Sequence, residues 1–387
     1  MNNEFDLFII GGGINGAGIA RDAAGRNLKV GLAEKGEIGG ATSSWSTKLI
    51  HGGLRYLENY QFSLVRESLK EREVIYRIAP SITNPVPFII PHTRKLRPAW
   101  LIKMGLMLYD NLGGKTRIPK SSTVKIQDQF PNILQPHYTK GFQYYDLQVD
   151  DQRLVKLNVS DAKKRGAEIF ENTTVEKVTR NKDDWNVCLE GNKTVKSKIL
   201  INATGPWVNE VLTNVIHVEP SKPMRLVKGS HIITKKLYDA KVAFTLQNTD
   251  KRMIFVIPYK DDCTLIGTTE VEVQTPEMPK ISDEEIKYLV NCVNLYFAKQ
   301  ITPQNIVDTF SGVRPLVEDY NKSTSNIARD YILDLDANNH TAPLLNIYGG
   351  KLTTYRKLAE RALFDLEKYL TENNNSWTDK QTINLTN

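Results

Sequence analysis

Four cationic residues lie inside glycine-rich or apolar segments, where charged side chains are uncommon. They are Arg55, Arg314, Arg329 and Lys351. A guanidinium group is a planar fork that suits bidentate binding of a phosphate, whereas the Lys351 ammonium is a point charge that can stabilise a developing alkoxide. We therefore predict that these four residues line one pocket for an anionic ligand.

Three further residues in such segments can transfer protons or form hydrogen bonds. We predict that Arg314, His231 and Lys351 form the catalytic set. His231 follows Lys-Gly-Ser and is a candidate general base, because an imidazole titrates near neutral pH. His51 is either a base or a structural histidine. The identity of the base therefore stays open. Tyr56 either binds the substrate or belongs to the core.

A glycine-rich turn near the N-terminus predicts a dinucleotide site. Phe5–Ile10 is an apolar strand, and Gly11-x-Gly13-x-x-Gly16 follows it directly and opens a helical segment. The first glycine permits a tight turn, the second lets the backbone approach a pyrophosphate, and the third allows close helix–strand packing. Glu34 ends the next strand, where a carboxylate can accept hydrogen bonds from a ribose hydroxyl. This loop alone does not distinguish FAD from NAD.

Two later glycine segments extend the predicted site along the chain. Ile201–Gly205 closes an apolar strand with small residues, and Gly349-Gly350-Lys351 immediately precedes the last helical segment. Free backbone N–H groups at a helix N-terminus can stabilise negative charge, for example on the pyrimidine side of a reduced flavin. Three such segments suit a long ligand bound by a discontinuous domain.

Hydrophobic periodicity predicts an α/β protein of two parts. The first is a Rossmann-like dinucleotide-binding domain formed by residues 1–90, 145–210 and 300–375. The second is a mostly antiparallel β domain formed by residues 91–144 and 211–299. Met224–Thr234, Met253–Pro258 and Thr264–Thr268 are the clearest of its predicted strands.

Length, charge and cysteine usage exclude several classes of protein. The chain has 387 residues, which suggests two or three structural units at roughly 150 residues each. Its three cysteines are far apart, which argues against a disulfide framework or a structural zinc site and fits a reducing compartment. The net charge of +7 suits an acidic substrate or membrane surface. We expect no nucleic-acid binding, because the basic residues are scattered, and we predict no metal site.

Several blocks of sequence resemble the FAD-dependent glycerol-3-phosphate dehydrogenases. The segment 42–58 (TSSWSTKLIHGGLRYLE) closely resembles the signature of that family. Further similar blocks are Gly11–Gly25, Val149–Leu154, Ala203–Trp207, Lys228–His231, Gly312–Leu316, Ala328–Tyr331 and Gly349–Lys357. The similarity is colinear from residue 5 to about residue 370.

The resemblance implies oxidation of sn-glycerol 3-phosphate to dihydroxyacetone phosphate, with FAD reduced and then reoxidised by ubiquinone or menaquinone. It also implies the glutathione-reductase-type fold shared with amino-acid oxidases, in which the first part of the chain is a Rossmann-like FAD-binding domain and the mostly antiparallel second part is the substrate-binding domain. The residues then expected to bind FAD are Gly11, Gly13, Gly16, Glu34, Thr42, Ser43, Ser44, His51, Gly52, Gly205, Gly350, Leu352 and Thr353. The residues expected to bind the substrate are Arg55, Tyr56, Arg314, Arg329 and Lys351.

A quinone acceptor implies attachment to a membrane surface. The amphipathic stretch Pro98–Leu112, preceded by basic residues, can lie in a bilayer interface, or it can be a buried helix of the substrate domain. We predict a peripheral protein on the cytoplasmic face of the inner membrane, or a cytoplasmic one, and a possible homodimer.

Three other functions remain open. One is a glycerol-3-phosphate oxidase that uses oxygen, another is an amine or amino-acid flavin oxidase, and the third is a non-catalytic flavin-binding remnant. Bacterial members of the resembled family usually continue into a helical C-terminal domain. This chain stops near its start, so it is either a fragment or a lineage without that domain.

Overall fold

The computed structural model describes residues 4–93, 96–248, 250, 252–277, 279–317, 331–338, 341–370 and 375–383. Its helices are α1 (Ile14–Gly25), α2 (Phe62–Ile78), α3 (Ala99–Leu112), α4 (Ile126–Gln129), α5 (Asp151–Lys164), α6 (Val208–Val211), α7 (Asp283–Tyr296) and α8 (Tyr355–Asp365). Its strands are β1 (Glu4–Ile10), β2 (Val30–Glu34), β3 (Leu49–Ile50), β4 (Thr83–His92), β5 (Ser122–Lys125), β6 (Lys140–Val149), β7 (Glu168–Glu171), β8 (Val175–Arg180), β9 (Trp185–Leu189), β10 (Lys193–Asn202), β11 (Met224–Lys235), β12 (Ala243–Gln247), β13 (Met253–Tyr259), β14 (Cys263–Gly267), β15 (Val271–Val273), β16 (Ile306–Val317), β17 (Tyr331–Asn338) and β18 (Thr341–Gly349).

The first sheet carries the N-terminal glycine turn. Its strand order is β17-β18-β10-β1-β2-β7, and β8 and β9 extend it beside β10. β1 pairs in parallel with β2 and β10, and β10 pairs in parallel with β18. Because parallel strands end at the same edge of a sheet, the segments that follow Ile10, Glu34, Asn202 and Gly349 meet there. This edge is where the predicted glycine motifs come together.

Burial on both faces explains why the strands of the first sheet are continuous apolar runs. Along β1, Leu7 and Ile9 belong to one core, which also contains side chains of α1, α5 and α8. Phe8 and Ile10 point to a second core on the other face. The predicted βαβ unit at the N-terminus and the Rossmann-like architecture are therefore confirmed.

The second sheet is mostly antiparallel. Its order is β15-β11-β14-β13-β12-β4-β6-β3, with β16 paired to β11 and β5 paired to β6. β4 and β12 are a parallel pair within it. α7 packs on one face, and α2 and α3 pack on the other. The three strands predicted most clearly are present as β11, β13 and β14, and they are antiparallel.

Membership of this second sheet differs from the predicted division of the chain. The prediction assigns Leu49–Ile50, most of Thr83–His92 and Ile306–Val317 to the FAD-binding part, but all three pair within the second sheet. Residues 145–149, at the end of β6, do so as well. Such pairings join strands that are far apart in the chain, and the hydrophobic periodicity within a strand does not indicate which other strand it pairs with. The functional division into an FAD part and a substrate part stays a prediction.

Helix α3 presents apolar side chains to solvent. Trp100 is 67% exposed, Met104 43% and Met107 59%, whereas the opposite face, which includes Tyr109, is buried. Lys103 is exposed on the same helix. In the described part of the chain, no helix is both long enough and apolar enough to cross a membrane.

Candidate functional site

The glycine turn between β1 and α1 has a geometry that larger residues cannot adopt. Gly11 has φ of +107°, and a Cβ there would lie 2.7 Å from the Ala203 carbonyl oxygen at the end of β10. A Cβ on Gly16 would lie 2.0 Å from the Gly11 carbonyl oxygen, so α1 packs directly on the turn. Gly13 caps α1, and a Cβ on it would lie 3.2 Å from Ser43 Oγ. The turn therefore leaves bare backbone at a helix N-terminus, as a pyrophosphate requires.

The Glu34 carboxylate borders this turn. It accepts hydrogen bonds from the Gly12 N–H (2.7 Å) and the Gly36 N–H (3.0 Å). Ser43 Oγ accepts the Ile14 N–H at 3.0 Å. The bonds from Gly12 and Gly36 hold the Glu34 carboxylate at the end of β2, where the prediction places a ribose contact.

The turn Gly349-Gly350 lies against the N-terminus of α1. Both glycines are left-handed, with φ of +74° and +97°, and Asn15 Nδ2 donates to the Gly349 carbonyl oxygen at 3.1 Å. Gly205, at the end of β10, is also left-handed with φ of +59°, and a Cβ there would meet open space. Asn15 was not predicted, because an asparagine at the start of a helix is an ordinary residue without its distant partner.

The predicted residues converge on a cavity of about 260 Å³ between the two sheets. Those that line it are Thr42, Ser43, His51, Arg55, Tyr56, Arg314, Gly350, Lys351, Leu352 and Thr353. Gly52 lies between His51 and Gly53, both of which line the cavity. Ser44 is buried beside it and donates to the Gly39 carbonyl oxygen. Arg329 lies outside the described residues.

The cations of the cavity are oriented by their neighbours. The Lys351 Nζ lies 4.3 Å from the centroid of the Tyr56 ring, a cation–π contact. The Arg314 Nη2 donates to Thr268 Oγ1 at 3.3 Å. Together with Arg55, which also lines the cavity, they supply positive charge that suits a phosphorylated ligand.

His231 lies behind the cavity instead of on its surface. It is fully buried, its ring stacks on Phe310 at 4.6 Å between centroids, and its Nε2 lies 3.1 Å from Thr47 Oγ1. Burial, with a smaller effect from the charges of Arg314 and Lys48, holds the pKa of His231 well below its ordinary value. The imidazole is therefore neutral at physiological pH, and its link to the cavity is through Thr47, which lines it.

Sequence reasoning missed several residues of the second sheet that line the cavity. They are Tyr144, Asp146, Thr245, Arg252, Met253, Phe255 and Glu270. None of them lies in a glycine-rich segment, and each faces the cavity because of its position along a strand or just before one. Among the described residues, no group of three or more His, Cys, Asp or Glu is placed to hold a metal ion.

The site fits FAD on its own geometry. The bare glycine turn, the carboxylate at the end of β2 and the second glycine turn at the start of the last helix lie along one edge of the parallel sheet. This edge continues into the cavity that the second sheet closes. An extended dinucleotide therefore has a backbone-lined path from the adenosine side to the flavin side.

Comparison with known proteins agrees with this geometry. Residues 6–356 match the family model described as FAD dependent oxidoreductase. The chain is 47% identical over 380 residues to the D-erythritol 1-phosphate dehydrogenase of Brucella abortus, covering 96% of this chain and 76% of that protein. It is 46% identical over 384 residues to the aerobic glycerol-3-phosphate dehydrogenase of Escherichia coli, covering 98% and 76%.

A solved structure shows the same architecture. The glycerol-3-phosphate dehydrogenase from Bacillus halodurans, complexed with FAD, superposes with a TM-score of 0.75 at 27% identity and covers 97% of this chain and 67% of that chain. The predicted cofactor and the predicted family resemblance are thereby confirmed. The chain is an FAD-binding enzyme of the FAD-dependent oxidoreductase family, and its relatives within that family include the aerobic glycerol-3-phosphate dehydrogenases.

Proposed function

We propose that this enzyme oxidises sn-glycerol 3-phosphate to dihydroxyacetone phosphate. The observation that carries the proposal is the convergence of Arg55, Arg314 and Lys351 on the cavity that the FAD-binding segments border. A phosphate monoester carries close to two negative charges near neutral pH, so a single cation would leave it poorly matched. We assign the first sheet to FAD and the second sheet to the substrate.

The side chains of the cavity have separate tasks in this reaction. Arg55 and Arg314 bind the phosphate, and Arg329 remains a predicted partner of theirs. Lys351, oriented by the Tyr56 ring, lies near the hydroxyl and stabilises the alkoxide as its proton leaves. FAD, which the glycine turns at Gly11–Gly16 and Gly349–Gly350 would hold, would supply the hydride acceptor for this oxidation.

The proton of the substrate hydroxyl needs an acceptor. The neutral His231 Nε2 can receive a proton through the Thr47 hydroxyl, which lies between the imidazole and the cavity. Arg314, His231 and Lys351 remain the proposed catalytic set.

For the electron acceptor we propose ubiquinone or menaquinone in the membrane. The exposed apolar face of α3, with Trp100, Met104 and Met107, supports attachment of the enzyme to a bilayer surface. The proposed location is the cytoplasmic face of the inner membrane. We also propose a homodimer, which sedimentation of the purified enzyme would test.

A second substrate is favoured by a specific observation. The relative named D-erythritol 1-phosphate dehydrogenase is as similar to this chain as the glycerol-3-phosphate dehydrogenase of E. coli, at 47% and 46% identity. Both names describe phosphorylated polyols, which need the same cationic pocket. D-erythritol 1-phosphate is therefore the alternative donor.

Anaerobic mixing of the purified holoenzyme with candidate donors tests the proposal. We expect glycerol 3-phosphate to bleach the visible flavin absorbance faster than D-erythritol 1-phosphate, and glycine and sarcosine to leave it unchanged. Bleaching by an amine alone would point to an amine oxidase, and no bleaching by any donor would point to a non-catalytic flavoprotein. Either result would refute the proposal.

The electron acceptor needs a separate measurement. With the best donor, we expect a soluble quinone analogue to be reduced and little hydrogen peroxide to form in air. Stoichiometric peroxide with no quinone reduction would identify an oxidase instead.

A further inference from the structure

A buried polar cluster lies beside the cavity. The Tyr109 hydroxyl on α3 is 2.8 Å from both carboxylate oxygens of Asp146 on β6, and Arg72 Nη1 on α2 donates to Asp146 Oδ1 at 2.8 Å. The Gly52 N–H donates to the Tyr109 hydroxyl oxygen at 2.7 Å. None of the three residues is more than 5% exposed. The cluster therefore connects two helices and a strand to one backbone amide.

The charges in the cluster fix the direction of these hydrogen bonds. Burial raises the pKa of Asp146, and the Arg72 guanidinium opposes this rise. Burial, with a further contribution from Asp146, raises the pKa of Tyr109 well above its ordinary value. Tyr109 therefore keeps its proton and donates it to Asp146. The lone pairs of its oxygen are then available to the Gly52 N–H.

The backbone at Gly52 is also confined by packing. A Cβ there would lie 2.5 Å from Leu69 Cδ2 and 2.8 Å from Tyr109 Cε2, so the main chain rests directly on the tyrosine ring. On the other side, the His51 N–H donates to Thr353 Oγ1 at 3.3 Å. The chain is therefore held between α3 and the segment that begins the last helix.

We propose that Tyr109, oriented by Asp146 and Arg72, positions the His51–Gly53 segment against the bound flavin. This segment has no helix or strand of its own, because β3 ends immediately before it and a 3₁₀ turn begins immediately after it. Main-chain hydrogen bonds of regular structure therefore do not restrain it, and the side-chain cluster supplies the restraint. The inference concerns the FAD site, and it holds whichever polyol phosphate and electron acceptor the enzyme uses.

Removal of one hydroxyl group tests this role. In the Tyr109→Phe holoenzyme, we expect the amides of residues 49–57 to exchange with deuterium about tenfold faster, because a buried N–H loses its acceptor. The visible circular dichroism of the flavin should change, and FAD should dissociate about tenfold faster. The rate of flavin reduction at saturating substrate should fall more than KM rises, since Arg55 and Arg314 are unchanged.

Tyr238→Phe is the matched control. Its hydroxyl is also buried and donates to the Val242 carbonyl oxygen at 2.9 Å, but it lies in the core beneath α7. This variant should keep the flavin spectrum and the exchange of residues 49–57 of the wild type. If both variants changed these properties equally, the effect would be a general one of hydroxyl loss and the proposal would be overturned.

Wild-type exchange and a wild-type flavin spectrum in Tyr109→Phe would also overturn the proposal. If that variant does not fold, Asp146→Asn gives the same test, because the amide keeps the size of the carboxylate and loses its charge. We expect exchange of residues 49–57 to rise at least threefold or so in Asp146→Asn. Unchanged exchange there would show that the cluster does not position the segment.

Discussion

Arg314→Ala is the substitution that tests the cationic pocket most directly. Arg314 is on β16 and reaches the cavity with its guanidinium beside Thr268 Oγ1, at 3.3 Å from Nη2. A unit charge about 4 Å from a phosphate charge contributes about 4 kcal/mol at an effective dielectric constant of about 20. Because Arg55 and Lys351 remain and take over part of this interaction, we expect a loss of roughly 3 kcal/mol. This loss corresponds to a decrease in kcat/KM of about 150-fold.

Steady-state kinetics with glycerol 3-phosphate measures this loss, and two variants control it. Arg314→Lys keeps the charge without the planar fork, so its kcat/KM should fall by about tenfold. Arg225→Ala removes an arginine from β11, the strand paired with β16, where Arg225 binds Glu272 at 2.6 Å outside the cavity. Its kcat/KM should stay within about threefold of the wild type.

The reasoning depends on Arg314 contacting the bound substrate. If Arg314→Ala had a kcat/KM within about threefold of the wild type, the guanidinium would not contact the phosphate or the transition state. A decrease of equal size in Arg225→Ala would instead indicate a general distortion of the sheet.

Three further predictions concern the cofactor and stability. Gly13→Val should purify without visible flavin absorbance, because the branched side chain fills the space that the pyrophosphate needs; a fully loaded variant would contradict this. Burial lowers the pKa of His231 in the folded state, so below about pH 6.5 this histidine binds a proton in the unfolded chain but not in the folded one. As the pH decreases below this value, the free energy of unfolding of the wild type, relative to His231→Gln, should fall by up to about 1.4 kcal/mol per pH unit in urea titrations. A difference between the two proteins that does not change with pH would refute this prediction. Glu71→Gln breaks the buried ion pair with Arg356 (2.6 Å) and should reduce the free energy of unfolding by about 3 kcal/mol. Arg361 is on α8, as Arg356 is, but its ion pair with Asp365 is more exposed, so Arg361→Gln should reduce the free energy of unfolding by under about 1 kcal/mol. Equal losses in those two variants would exclude a special contribution of the buried pair.

Much of the cofactor site could be predicted from the sequence because its signals are local. Gly11, Gly13 and Gly16 follow a strand and open a helix, and this order of elements within a short stretch is enough to define a dinucleotide turn. Gly350 is similar, since two consecutive glycines before a helix indicate a left-handed turn. The charged residues Arg55, Arg314 and Lys351 were recognisable because they lie within glycine-rich or apolar segments.

The partners of those residues depend on strand pairing. β14 and β16 both pair with β11, which places Arg314 of β16 beside Thr268 at the end of β14. The sequence of each strand does not indicate its partner. The same holds for Asp146, which is an unremarkable acid on β6 until α2 and α3 bring Arg72 and Tyr109 to it.

His231 shows the limit of sequence reasoning about a single residue. Its sequence context fits a catalytic base, but its pKa and its distance from the substrate depend on what surrounds it in three dimensions. Local order therefore determined the βαβ unit, the cofactor class and the identity of the pocket cations. Only the tertiary structure decided which residues face the cavity and which lie behind it, because burial and proximity between distant segments arise from packing and not from neighbours in the chain.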